Sequence, residues 1–218
     1  MKVSKHLHEG IKLFFAYLFI LIMVVIVLFP VFWTFISSLN PGDSLFSSEL
    51  RLIPQNITWK HYRRLFQETN YGIWYRNTLK VAFASSAATV VLVSLTAYAF
   101  SRLRFPGRKQ GLVGMLVLQM FPGIMNMVAI YVLLNLVGLL DTHLGLVLIY
   151  AGGAIPYNTW LMKGYMDGIS RSLEEAALID GAGNWIIMLK IILPLTLPMI
   201  SVIAIFSFVA PFGDFLFA

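Results

Sequence analysis

Five stretches of this sequence contain no Asp, Glu, Lys or Arg over lengths that can cross a bilayer: Leu13–Gly42, Val81–Ser101, Gln110–Leu140, Leu144–Met162 and Ile191–Gly213. A helix needs about 20 apolar residues to traverse the hydrocarbon core. The runs are continuously apolar rather than alternating with polar residues, which excludes barrel strands. Only 12% of the chain is charged and 59% is hydrophobic, against roughly 25% charged in a soluble domain. So few charges cannot cover that much apolar surface in water, whereas lipid solvates it. The expected fold is all-α: a polytopic transmembrane helix bundle forming one domain over residues 1–218. Its spans are expected at about 13–38, 79–101, 110–137, 144–162 and 193–213. The first run is too long for a cleavable signal peptide, and no small-residue cleavage site follows it promptly.

The net charge of +6 raises nucleic acid as a partner, but the basic residues lie in short clusters between apolar runs. That distribution reads as orientation in a membrane, with lipid as the partner and no nucleic acid. Lys2, Lys5 and Lys12 precede the first span. Arg102, Arg104, Arg108 and Lys109 fill the turn after the second, and Lys163, Arg171 and Lys190 lie between the fourth and fifth. All three segments fall on one face, which the positive-inside rule makes cytoplasmic, with the N-terminus inside. The longer segment after the first span also carries Arg51, Lys60, Arg63, Arg64, Arg76 and Lys80, and its length makes those charges less decisive. Within it Trp59, Tyr62 and Phe66 recur at helical spacing, predicting a short helix along the interface. The second span carries Ala84, Ser85, Ala88, Thr89, Ser94 and Thr96, small residues that let helices approach closely in lipid. Pro30, Pro122, Pro156, Pro198 and Pro211 predict bends.

The segment after the fourth span reads GYMDGISRSLEEAALIDGAGNWIIMLKIIL from Gly164 to Leu193, far longer than a connector requires. Ser172 with Glu175 three residues on is a capping-box signature. Leu173, Ala176 and Ala177 give the resulting helix a compact apolar face. Gly181 and Gly183 stop it, a second helix follows from about Asn184, and Pro194 marks the start of the fifth span. The prediction is a helix–turn–helix shelf over about 163–193.

Those residues match a pattern. Glu175-Ala176-Ala177, three residues, Gly181, nine residues, Ile191, one residue, then Leu193-Pro194 fills seven fixed positions over 20 residues. The chain thereby resembles the permeases of bacterial ABC importers and their EAA loop. Ala97-Tyr98-Ala99-Phe100-Ser101-Arg102, Phe105-Pro106-Gly107, Asn77-Thr78-Leu79, Gly138-Leu139-Leu140-Asp141-Thr142 and Lys163-Gly164-Tyr165 look like the carbohydrate branch, specifically the shorter permease subunit of maltose- and maltodextrin-type importers. The resemblance implies a subunit of a prokaryotic cytoplasmic membrane that forms half of a sugar pathway. Its implied partners are separate ABC ATPase subunits, a second homologous permease and an extracytoplasmic sugar-binding protein. The implied coupling residues are Ser172, Glu174, Glu175, Ala176, Ala177, Asp180, Gly181, Ala182, Ile191, Leu193 and Pro194. Permeases of this family generally have six spans, so the last is expected to be omitted from this sequence, which stops at Ala218.

Individual residues keep two readings. Glu175 caps its helix or pairs with a basic group on an ATPase. Asp180 caps the turn or meets that partner, and Glu174 is expected to be a solvated flank. Gln119, Asn126 and Asn135 either bond across helices or meet sugar hydroxyls, and Asp214 lies near the outer end of the fifth span. No Gly-x4-Gly-Lys-Ser/Thr phosphate loop is present, so ATP is expected to be bound by a partner and the chain to be non-catalytic, without cofactor. The sequence contains no cysteine, and His6, His8, His61 and His143 are too scattered for a metal site. The rival function is a self-contained, ion-coupled secondary transporter. It would need ionisable residues at mid-membrane, and the five spans have none. An intramembrane enzyme lacks any convergent acid, base or metal set. Orientation is testable in this cysteine-free chain. Lys109→Cys and Ser172→Cys should both resist an impermeant thiol reagent on intact cells, and labelling of both from outside would invert the topology.

Overall fold

The computed structural model describes residues 2–42 and 57–215; Arg51 and Ala218 lie outside them. The described residues are helical throughout their ordered elements, and the chain divides into two compact units, Met1–Gly72 and Ile73–Ala218.

In the first unit, α1 (Lys2–Ser38) runs through the first charge-free stretch with Pro30 inside it. Every residue from Glu9 to Phe32 is exposed. A belt of Leu, Ile, Val and Phe that packs on nothing within its own unit is what hydrocarbon solvates and water does not. The chain turns at Leu39 and returns in α2 (Lys60–Glu68), the short helix predicted from its aromatic spacing. Thr58 N–H donates to the Leu39 carbonyl at 2.9 Å, and the His61 ring Nε2 lies 2.9 Å from the Asn40 carbonyl. The hydroxyls of Ser38 and Tyr62 meet at 2.7 Å. Tyr62 is therefore half-buried against the end of α1, while Trp59 and Phe66 stay exposed.

The second unit is built on α3 (Tyr71–Arg102), whose Ala82, Ser85, Thr89, Val93 and Ala97 are fully buried at three- and four-residue spacing. Small side chains on one stripe let neighbouring backbones come close, so dispersion replaces the hydrophobic effect as the packing force. Ser85, Thr89 and Ser94 share this buried side, but Ala84 of the expected set is exposed. Two helices follow the basic turn: α4 (Arg108–Gln119) and α5 (Gly123–Leu136). The third charge-free stretch is thus broken rather than one continuous helix. Pro122 offers no N–H and disfavours helical backbone at Phe121, so the chain leaves the helix over Met120–Pro122.

Next come α6 (His143–Asp167), α7 (Ser172–Ile179), α8 (Asn184–Leu195) and α9 (Leu197–Gly213). Helix α8 contains a wide turn over Met188–Ile192, where the Leu193 N–H reaches back five residues to the Met188 carbonyl. At Thr196 the axis bends by 77° into α9. Pro194 and Pro198 flank that bend, each removing one helical donor. The buried Thr196 hydroxyl donates to the Leu193 carbonyl at 3.0 Å. Among the described residues, Glu9–Ser38 of α1 and all of α3 are each long and apolar enough to cross a membrane unaided, and the bent α8–α9 pair is a third such segment if taken as one span.

The core of this unit gathers Val93, Ala97 and Tyr98 of α3, Met162 and Met166 of α6, Ile187, Met188 and Ile192 of α8, and Ile203 of α9. It lies where the α6–α8 connection joins the bundle, so the shelf stands on well-packed ground. Ser86 Oγ donates to the Ala204 carbonyl at 2.8 Å, tying α3 to α9.

The turn before α6 is equally constrained. Gly138 and Asp141 adopt φ of 69° and 57°, and Thr142 Oγ1 accepts the Gly145 N–H at 3.0 Å. A Cβ at Gly145 would fall 2.4 Å from the Leu139 carbonyl oxygen, which is backbone and cannot swing away. Gly145→Ala should therefore lower stability by about 1–3 kcal/mol, the usual cost of overpacking, read as a lower melting temperature in detergent. An unchanged melting temperature would mean the turn has room that the geometry denies.

Candidate coupling surface and translocation groove

Helix α7 is the centre of the shelf, and its start differs from the expected capping box. Arg171, not Ser172, occupies the cap position, and its carbonyl accepts the N–H groups of both Glu174 and Glu175 at 3.0 Å. Ser172 is the first helical residue. Its N–H meets Ser170 Oγ at 3.3 Å, and the two hydroxyls lie 2.8 Å apart. With the helix starting one residue early, Glu175 falls one position past the site of a reciprocal cap, and its carboxylate makes no hydrogen bond or ion pair among the described residues. The far end closes on Gly181, whose φ of 81° is left-handed. Ala182 N–H reaches the Ala177 carbonyl at 2.9 Å and Gly181 N–H the Leu178 carbonyl at 3.0 Å, the paired bonds of a Schellman stop.

This geometry sorts the loop residues. Ala177, Ala182, Ile191 and Leu193 are half-buried and pack on the core. Ser172, Glu175, Ala176, Asp180, Gly181 and Pro194 are exposed. Beside them stands an uncovered apolar face: Ile179 is 87% exposed, with Leu178 and Trp185 also open.

Glu174 is not the solvated flank expected of it. Its Oε1 lies 2.5 Å from Arg102 Nε, with the two side chains only 13% and 4% exposed. The Nε–H is not aimed along that line, so this is a contact between charges. The guanidinium's aligned bonds go to Ser101 Oγ and to the Ile169 carbonyl, both at 3.1 Å. Around it, Ser101 Oγ donates to Asp167 Oδ1 at 2.7 Å, and Lys163 pairs with the other Asp167 oxygen. Arg108 holds the Phe100 and Ser101 carbonyls, and Arg171 reaches the Ser101 carbonyl at 3.4 Å. The last turn of α3, the last turn of α6 and the first turn of α7 are thus joined by charges at one point. Sequence spacing could not pair residues so far apart. The signal available was the Ala97–Arg102 run that carried the family likeness.

A second feature lies where α4 and α5 part. A groove of about 800 Å³ opens there, lined by Gln119, Phe121, Asn126, Gly152, Gly153 and Asp214 among others. Gln119 Nε2 donates to the Gly153 carbonyl at 3.2 Å, and the Tyr150 hydroxyl donates to Asp214 Oδ2 at 3.2 Å. Asn126 has no partner among the described residues. The structure brings Gln119 and Asn126 together and adds Asp214; Asn135 lies farther along α5 and does not line the groove.

Comparison with known proteins decides what kind of chain carries these features. Residues 90–218 match the family described as binding-protein-dependent transport system inner membrane component. The chain belongs to that family. The galactooligosaccharides transport system permease protein GanQ of Bacillus subtilis is 44% identical over 218 residues, covering 99% of this chain and 75% of that protein. The maltodextrin transport system permease protein MdxG of the same organism is 44% identical over 202 residues, covering 92% of this chain and 72% of that one. A crystal structure of a bacterial ABC transporter involved in import of the acidic polysaccharide alginate matches the fold with a TM-score of 0.78. It is 24% identical and covers 94% of this chain and 72% of its own. The protein is a membrane-embedded permease subunit of an ABC importer.

In this permease no cluster of three or more His, Cys, Asp or Glu suited to a metal occurs among the described residues. The charges gathered around the ends of α3 and α6 set the state of Asp167. Burial works to raise that carboxyl's pKa, but hydrogen bonds from Lys163 and Ser101 and the charges of Lys163 and Arg102 outweigh it, leaving the pKa below the ordinary value. A depressed carboxylate contributes stability that is fully present above its unfolded pKa, about 3.9, and lost as pH falls through the lower folded value. The stability gap between wild type and Asp167→Asn should accordingly be constant near neutrality and shrink below about pH 4. A gap that persists unchanged in acid would show that the charge is not what Asp167 contributes.

Proposed function

We propose that this permease forms half of the translocation pathway of a carbohydrate importer, taking an oligosaccharide of the maltodextrin or galactooligosaccharide kind. In this reading α7 couples it to a separate ATPase. The observation that carries the coupling is the outer face of α7: an unpartnered Glu175 beside exposed Leu178 and Ile179, on a helix whose other face is fixed to the core. Uncovered apolar surface rimmed by a free carboxylate fits a protein partner with a basic group. With the capping role of Glu175 removed by the register of α7, the docking role is the better supported of its two readings. Asp180, exposed at the helix end, joins it. The choice of sugar rests on the names of the relatives.

The remaining assembly follows from that reading. Two ATPase subunits, a second homologous permease and an extracytoplasmic sugar-binding protein would complete the importer in a prokaryotic cytoplasmic membrane, with this chain's N-terminus inside. ATP would bind and be hydrolysed in the partner, and this chain would hold no cofactor and perform no catalysis.

The groove supports the pathway assignment. The twelve residues of α4 rise about 18 Å, so the break before α5 falls near the middle of a core about 30 Å thick. Unwound backbone at that depth is tolerated where it lines a polar cavity. Gln119, Asn126 and Asp214 offer amide and carboxylate partners for sugar hydroxyls, and Phe121 offers an apolar ring face. Asn135, outside the groove, has the weaker claim.

Reconstitution tests both parts. Proteoliposomes holding the complete importer should take up oligosaccharide only with ATP, and uptake by this chain alone on an ion gradient would refute the proposal. Glu175→Gln should weaken ATPase association by about 2–5 kcal/mol, the range for truncating one partner of a buried charge pair, read by co-purification. Ser172→Ala, at an exposed position that caps nothing, should stay within about 0.5 kcal/mol.

A further inference from the structure

The docking surface explains how α7 could be moved by a partner, but not how that movement would reach the spans. Two kinds of attachment hold α7 to the rest of its unit. One is apolar: Ala177 and Ala182 rest on the core. Alanine contacts are small and smooth, and they resist sliding or rotation of a two-turn helix only weakly. The other is polar: Arg171, at the cap of α7, reaches the Ser101 carbonyl at 3.4 Å, and the more buried ion pair between Glu174 and Arg102 sits in the first turn of α7 and joins it to the last residue of α3.

Arg102 is well prepared for such a role. It is only 4% exposed, and it holds the Ile169 carbonyl in the linker before α7 at the same time as the Glu174 carboxylate. Its contact with Ser101 Oγ connects it to Asp167 and so to the end of α6. A planar guanidinium with several fixed donors can satisfy partners on separate elements together, which a lysine ammonium does less well. Because both charges are largely removed from water, separating them would strand each at high cost. The pair therefore acts as a stiff link, where an exposed pair would exchange with solvent.

We propose that Arg102 is a positioning residue for energy coupling: through Glu174 it locks α7 to the cytoplasmic end of α3, so that a displacement of α7 is delivered to that span as rigid-body motion. The inference rests on the importer reading above and assigns to Glu174 an intramolecular task distinct from docking by Glu175. Neighbouring glutamates on one helix point in different directions, and here one faces the bundle while the other faces outward.

The test uses the complete reconstituted importer and measures oligosaccharide transported per ATP hydrolysed. Arg102→Met and Glu174→Gln should each assemble with the ATPase yet lower that ratio about tenfold, within the 5- to 150-fold span typical of coupling between sites. The exchange Arg102→Glu with Glu174→Arg should recover part of it. A structural effect on stability alone would lower the amount of complex and leave the ratio unchanged. The absence of cysteine allows a second arm, Arg102→Cys with Glu174→Cys. Bridging these thiols with a short bifunctional maleimide should restore the ratio lost in the unbridged double variant, even if that variant assembles poorly. Unchanged ratios in both single variants overturn the clamp, as does a bridge that blocks transport, since the pair would then have to open. Failure of the bridge to repair any loss also overturns it. A wild-type complex that hydrolyses ATP and transports while both variants behave as wild type sinks the clamp alone; wild-type uptake that needs no ATPase sinks the importer reading itself.

Discussion

Hydrocarbon offers a backbone no water to bond, and that constraint bears on the helices of this chain and on the two places, at Pro122 and at Thr196, where an apolar helical run is interrupted. The long uninterrupted elements, α1 and α3, satisfy their own peptide groups and leave the outer surface apolar. Two of the breaks, at Pro122 and between Pro194 and Pro198, occur where proline has already removed a donor, whereas Pro30, Pro156 and Pro211 lie inside unbroken helices. At Pro122 the chain unwinds beside a largely apolar groove whose lining includes the amides of Gln119 and Asn126 and the carboxylate of Asp214. Between Pro194 and Pro198 a wide turn leads into the bend, where the Thr196 hydroxyl donates to the Leu193 carbonyl. Both interruptions carry polar side chains: Gln119, Asn126 and Asp214 at the first and Thr196 at the second.

Charge is handled by the opposite rule. The chain keeps ionisable groups out of the span centres and concentrates them at one end of the bundle, where Arg102, Arg108, Lys163, Asp167, Arg171 and Glu174 meet. There they tie the structure together. Guanidinium groups bond the carbonyls left open at the end of α3, as basic residues near a helix C-terminus commonly do. The same groups join three elements through side chains. A bundle whose helices pack by small residues and dispersion has little directional resistance to sliding. A cluster of partly buried, multiply bonded charges supplies that directionality where the shelf is attached.

The shelf divides its labour between the faces of one short helix. Ala177 and the Schellman stop at Gly181 press one side to the core. Glu174 enters the charge cluster, while Glu175, Leu178 and Ile179 remain open. Such a helix can be gripped from outside and still be firmly held from within, which is what transmission of movement between subunits requires.

The sequence by itself determined that the chain is an all-helical membrane protein, because long charge-free runs have no other stable fate in water or lipid. It also determined the helix–turn–helix between Ser172 and Pro194, because a glycine is needed where the backbone turns left-handed, as at Gly181, and the spacing of the loop residues is a local property. The short helix after Trp59 was legible for the same local reason. Only the tertiary structure decided that Met120–Pro122 is a break lining a groove, since a charge-free run looks the same whether or not its helix unwinds. It also decided that Ser172 starts α7 without capping it, because a one-residue shift in register depends on the Arg171 carbonyl and the linker behind it. Above all it decided that Glu174 is buried against Arg102. Ion pairing between residues far apart in the chain follows from how α3, α6 and α7 converge, and no periodicity along one strand of sequence encodes that meeting.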